Sequence, residues 1–148
     1  MNHAALLGML PERECVTKRI NIHGFHAQAQ KFGHLSFYGS DAPAIQGLMR
    51  RTPELAQPLT GALPYVAAEV VWAVRSEMAR TVEDVLCRRT RALFLNAKAA
   101  MEAAPKVASL MAHELGYDSS WESKQLAACQ RVARHFRLDK EPAGRGGL

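Results

Sequence analysis

The chain has no Cys-x-x-Cys pair, no long apolar run and no glycine-rich phosphate cradle, and each absence removes a class of function. Its three cysteines, Cys15, Cys87 and Cys129, lie far apart. That spacing suits neither a disulfide framework nor a zinc site and fits a reducing, cytoplasmic setting. Glu69, Arg75 and Glu77 interrupt the longest apolar stretch, so no segment approaches the ~20 apolar residues of a membrane-spanning helix, and the residues after Met1 form no signal-peptide pattern. Any membrane contact is expected to be peripheral. A dinucleotide site needs backbone N–H groups held against a pyrophosphate, the reason for GxGxxG between a strand and a helix. The one glycine-rich run here, Gly144-Arg145-Gly146-Gly147, has no helix after it, so no cofactor is expected to bind this chain.

What is present is the composition of an ordinary folded protein. With 148 residues, 48% hydrophobic and 22% charged, the chain suits a single core that buries roughly 68–70% of the unfolded surface. The net charge of +5 permits an anionic partner without indicating one. Residues 1–39 carry Gly24, Gly33, Gly39 and the β-prone run Arg19-Ile20-Asn21-Ile22, and are expected to form a short helix, about His3 to Leu10, followed by an extended connector. Helical signals take over in residues 40–138. Asp41 and Pro43 start a helix to about Arg51; Pro53, Pro58, Gly61 and Pro64 mark a loop; Val66, Val70, Ala73, Val74 and Met78 recur at helical spacing.

Thr81-Val82-Glu83-Asp84 has the spacing of a capping box and opens a short helix. Thr90 restarts the chain into a helix over Arg91 to Ala103, Pro105 fits the first turn of the next, and Gly116 can end it in a left-handed cap. The capping-box spacing returns over Ser119 to Glu122 and opens a last helix, about Ser120 to Arg137. Residues 139–148, with Pro142 and three glycines, are expected to be a flexible tail. The sum is an all-α bundle of about five or six helices.

Few residues suggest chemistry. His23, His26 and His34 could share a metal, but no acidic or cysteine ligand accompanies them, and a surface connector explains them better. Cys87 beside Arg88 and Arg89 has no base to activate it and reads as a small apolar helix residue. Arg88, Arg89 and Arg91 are the sharpest polar cluster. Such guanidinium groups can clamp a phosphate or carboxylate. The preferred reading is that they pair with Glu69, Glu77 and Asp84 and lock helix against helix, Asp84 and Arg88 having ion-pair spacing. Arg131, Arg134, Arg137 and Lys140 form a basic stripe that could meet an anionic surface, although a solvated face with cations near a helix C-terminus is the preferred reading. With no aromatic residues interleaved, nucleic acid is not an expected partner.

The block from Leu63 to Ala97, with Ala68-Glu69-Val70, Trp72 to Arg75, Glu77-Met78-Ala79 and Thr81 to Asp84 running on through Arg88-Arg89-Thr90-Arg91, resembles the C-terminal helical domain of the aerobic, FAD-dependent glycerol-3-phosphate dehydrogenases. So do Tyr38 to Ala42 and Ala104 to Ala108. The resemblance implies a parent enzyme that oxidises sn-glycerol 3-phosphate to dihydroxyacetone phosphate with FAD at the inner face of a membrane. It carries no catalytic residue onto this sequence. It implies a non-catalytic cap whose partner is the flavin domain and which, alone, self-associates through apolar surface left uncovered. The alternative is a free-standing helical module whose basic last helix meets an anionic membrane surface.

Overall fold

The computed structural model describes residues 7–9 and 15–136, and divides the chain into a unit ending at Asp41 and a unit starting at Ala42. Among the described residues no strand forms; one isolated antiparallel bridge joins Pro58 and Val66. Most of the helix expected from His3 to Leu10, together with Arg137, Lys140 and the tail 139–148, lies outside the described residues. Leu7 to Met9 form a turn, with Gly8 at φ 68°.

The first unit consists of turns and 3-10 helix at Val16–Lys18 and Ala29–Asp41. Its β-prone run does not become a strand, since Ile20 and Ile22 stand exposed and a branched residue favours the pleated form only where neighbours pack against it. Hydrogen bonds close the unit on itself. The Gly24 amide donates to Ser40 Oγ at 3.1 Å, the Ser40 amide donates to the Gly24 carbonyl at 3.3 Å, and His23 Nε2 meets Asp41 Oδ2 at 2.9 Å. This closure explains Gly39. Its φ is +54°, and a Cβ there would stand 1.7 Å from the Gly24 carbonyl oxygen, so no other residue fits.

Among its described residues the second unit holds five α-helices: α1 (Ala42–Arg51), α2 (Ala67–Ser76), α3 (Ala92–Leu95), α4 (Ala97–Leu115) and α5 (Ser119–Ala133). A π-helical turn, Asp84–Arg89, precedes α3, and a 3-10 turn, Arg134–Phe136, follows α5. The centre is α4, which packs against α2, α3 and α5. It can do so because its fully buried positions are nearly all small: Ala99, Ala100, Ala103, Ala104, Val107, Ala108 and Ala112 are buried with the longer Met111, while Met101, Leu110 and Leu115 pack at the border of the core. Val70, Ala73 and Val74 of α2, Val85 and Leu86 of the π turn, and Cys129 and Ala133 of α5 complete the core.

Several helix boundaries differ from the sequence expectation, each for a capping reason. The chain does not run unbroken from Arg91 to Ala103. Asn96 is extended, its side chain accepts the Ala99 amide at 3.0 Å, and α4 starts there. Pro105 therefore sits inside α4 instead of in a first turn. The alanines on either side favour the helix and their burial holds it, although a proline there supplies no N–H. The last helix is capped by Asp118, whose Oδ1 accepts the Trp121 amide at 2.9 Å, not by the serines that follow. Gly116 does close α4 in the left-handed conformation, φ 72°, where glycine has no Cβ penalty.

Candidate functional site

The arginine cluster is built on the segment between α2 and α3. Thr81 and Asp84 satisfy each other reciprocally: the Asp84 amide donates to Thr81 Oγ1 at 3.1 Å, and the Thr81 amide donates to Asp84 Oδ2 at 2.9 Å. The Arg80 amide reaches the same oxygen at 3.0 Å. The helix then widens, because both the amide and the hydroxyl of Thr90 donate to the carbonyl of Val85, five residues back, at 2.9 and 2.8 Å. That extra residue per turn is the π-helical signature. It buries Val85, Leu86 and Cys87 while leaving Arg88 outside.

Each arginine of the cluster does something different. Arg88 donates to Asp84 Oδ1 at 2.7 Å and to Glu83 Oε1 at 2.8 Å. Burial pushes the Asp84 carboxyl up, but the Arg80 and Thr81 amides, the Thr81 hydroxyl and the Arg88 charge outweigh it and hold the group below the ordinary carboxylate value. Arg89 turns towards the end of α2, where its Nε and Nη2 both donate to the Glu77 carbonyl and its Nε lies 3.5 Å from Glu77 Oε2. Arg80 Nη1 covers the Val74 and Ala79 carbonyls beside it, at 3.2 and 3.0 Å. Two guanidinium groups thus cover the Val74 carbonyl in the last turn of α2 and the Glu77 and Ala79 carbonyls just beyond it, where the helix dipole also favours cations. Arg91 adopts φ 56° and stands at the start of α3 with its side chain exposed.

At the other end of α2, fully buried Glu69 accepts the Val66 amide at 2.7 Å. Val66 has no hydroxyl to return the bond, so this is half of a capping box. Beside it, the Tyr65 hydroxyl donates to the Thr90 carbonyl and ties the start of α2 to the end of the π turn. Burial, followed by the Glu69 charge, pushes the Tyr65 hydroxyl pKa up, against a smaller opposing effect of Arg91. The cluster therefore joins both ends of α2 to the segment that follows it.

Neither buried cysteine stands where thiolate is favoured. Cys87 is buried, and burial raises its thiol pKa despite the adjacent Arg88. Cys129 is pushed up to about 11 by burial. No group of three or more metal-ligating side chains comes together among the described residues. The N-termini of α2, α4 and α5 are already occupied by side chains of this chain. Glu69 and Asp118 already bring carboxylates to the first turns of α2 and α5, and Asn96 fills the start of α4; a phosphate there would face like charge or a filled cap. An open cavity of about 440 Å³ lies between α2 and α4. Leu55, Val71 and Leu110 form its apolar wall, and Arg75, doubly bonded to Glu114 at 2.6 and 2.8 Å, stands at its edge.

Sequence reasoning did not single out Arg80, the Tyr65 tie to Thr90, or the Arg75–Glu114 pair, which bridges α2 to α4. The first two depend on backbone carbonyls, which carry no residue code, and the third spans distant segments. Of the basic stripe, Arg131 and Arg134 are described, and both are exposed.

Residues 15–122 match the family described as the C-terminal domain of alpha-glycerophosphate oxidase. The chain belongs to that family. It is 34% identical over 103 residues to the mitochondrial glycerol-3-phosphate dehydrogenase of Bos taurus, covering 70% of this chain and 14% of that protein. It is 36% identical over 139 residues to a probable mitochondrial glycerol-3-phosphate dehydrogenase of Caenorhabditis elegans, covering 80% and 19%. For the Schizosaccharomyces pombe enzyme the figures are 32% over 127 residues, 70% and 20%. The chain thus spans a fifth or less of the length of these relatives. No solved structure matches it. The family match takes in the whole Thr81 to Arg91 segment, so the π turn and its arginine ties lie within the domain that defines the family.

Proposed function

We propose that this chain is the non-catalytic cap of an FAD-dependent glycerol-3-phosphate dehydrogenase, and that it packs against, assembles with or regulates the flavin domain. On this reading the parent enzyme oxidises sn-glycerol 3-phosphate to dihydroxyacetone phosphate and the flavin supplies the hydride acceptor. The residues of this chain contribute a rigid helical body. The observation that carries the reading is the family match over residues 15–122, taken with polar groups that are spent on holding helices together. Arg88, Arg89 and Arg80 all have intramolecular partners, so a substrate phosphate would have to displace them. Among the described residues no helix is long and apolar enough to cross a membrane; the proposed place is peripheral, at an inner membrane face, through the parent enzyme.

The test is association. The purified chain is passed over the immobilised flavin domain of the same organism's glycerol-3-phosphate dehydrogenase. Stoichiometric retention with a dissociation constant in the micromolar range or tighter is expected. Absence of retention, together with salt-sensitive binding to anionic vesicles, would replace this reading with the free-standing basic module.

A further inference from the structure

Arg91 and Met78 are the non-glycine residues with positive φ among those described. A left-handed residue with a Cβ is strained, and such strain recurs where a surface is being shaped for a ligand or partner. At Arg91 it ends the π turn and aims α3, a single helical turn. The inner side of that turn, Ala92 and Leu93, is buried to 1% exposure, while Phe94 and Leu95 on the outer side are 59% and 66% exposed. Asn96, at φ −158°, then bends the chain into α4. Backbone geometry at both ends thus holds two large apolar side chains in solvent.

An apolar group from a distant part of the chain meets Phe94. Phe136, in the 3-10 turn after α5, meets Phe94 edge to face with ring centroids 5.0 Å apart, and remains 43% exposed. Arg91, Arg131 and Arg134 are exposed in the same two segments. An exposed aromatic pair thus lies in two segments that also carry exposed arginines, residue types that protein interfaces favour at their anchors.

We propose that the Phe94, Leu95 and Phe136 edge is the face by which this domain docks on the flavin-bearing part of a glycerol-3-phosphate dehydrogenase, against a surface with an apolar centre and an acidic rim. The inference rests on the cap reading above. The occupant follows from two observations. The matched relatives carry at least four-fifths of their length outside the region this chain matches, so that part is the standing neighbour of this domain. The arginines select a carboxylate-bearing partner; a second copy on the same edge would set Arg91, Arg131 and Arg134 against their own counterparts, which like charge disfavours.

Backbone amide exchange of the full chain, alone and with the same organism's flavin domain, tests the proposal. Amides of residues 92–95 and 134–136 should gain protection. Phe94→Ser combined with Phe136→Ser should weaken association at least about thirtyfold, the range of interface anchors. Should that pair disturb the helical circular dichroism, Leu95→Ser, at a more exposed position, gives the same readout. Arg134→Glu should slow association and flatten its salt dependence. Tight association with protection elsewhere and indifferent variants would overturn the docking face while leaving the cap reading intact. No association of the unaltered chain would overturn both. A dimer or a vesicle complex that depends on Phe94 would assign the edge to another occupant and overturn the proposal.

Discussion

Replacing Asp84 by alanine examines the junction where the family segment turns from α2 into the π turn. Asp84 Oδ2 holds the Arg80 amide at 3.0 Å and the Thr81 amide at 2.9 Å. Both lose their acceptor in Asp84→Ala. A lost cap costs typically about 1 kcal/mol and up to about 2, and bonds to a charged acceptor stand at the upper end of the hydrogen-bond range, about 1.5–3 kcal/mol. Water can reach Arg80, so the two amides together should cost about 2 kcal/mol. The Arg88 bond faces solvent and adds little. With a urea slope on the order of 2 kcal/mol per molar, the unfolding midpoint at pH 7 should fall by about 1 M. Asp84→Asn keeps one acceptor oxygen and should lose about half as much.

The pH dependence supplies a second handle on the same group. Asp84 is held below the ordinary carboxylate value in the folded chain, so its contribution is present above the unfolded value near 3.9 and is lost as pH falls through the depressed folded value. The gap between the unaltered chain and Asp84→Ala should be widest at neutral pH and shrink below about pH 4. A variant as stable as the parent at pH 7, or a gap that widens in acid, would refute the capping account.

Other outcomes follow from particular contacts. Gly39→Ala should open the first unit, seen as fast exchange of the Ser40 amide, because its Cβ would collide with the Gly24 carbonyl; Gly33→Ala, with φ also positive but nothing within 4 Å, should cost only its backbone strain. Tyr65→Phe removes the bond to the Thr90 carbonyl and should lower stability by about 1–2 kcal/mol in the same urea assay, since a buried acceptor is left open. A thiol reagent should titrate one cysteine quickly and two slowly under native conditions. Cys15 is exposed, and the Thr17 hydroxyl 2.8 Å away lowers its pKa, so its thiolate forms at a lower pH than usual, whereas Cys87 and Cys129 are buried with raised values.

Patterns that repeat along the chain were the legible ones. The apolar spacing of Val66, Val70, Ala73 and Val74, the Thr81–Asp84 reciprocity, the Asp84–Arg88 pair and the left-handed Gly116 are all local, and the structure contains each of them, whereas Met78, expected on the same stripe, lies past the end of α2 at φ 58° and is 79% exposed. The misread boundaries at Asn96, Pro105 and Asp118 were competitions between neighbouring caps. Asn and Asp hold a free amide as well as Ser or Thr does, and packing of α4 decides where its helix starts. The π turn was not legible because widening depends on Thr90 reaching back to Val85, a choice the same residues could have made differently. Arg89 was placed in the cluster by sequence, but its bonds to the Glu77 carbonyl required the fold.

Reconstitution of activity tests the central claim most directly. Glycerol 3-phosphate oxidation with an artificial electron acceptor is measured for this chain alone, for the flavin domain of the same organism's enzyme alone, and for their mixture. A cap domain predicts no turnover from the chain alone and a gain in rate or lifetime of the flavin domain in the mixture. Turnover by the chain alone, or a mixture identical to the flavin domain by itself, would contradict the account.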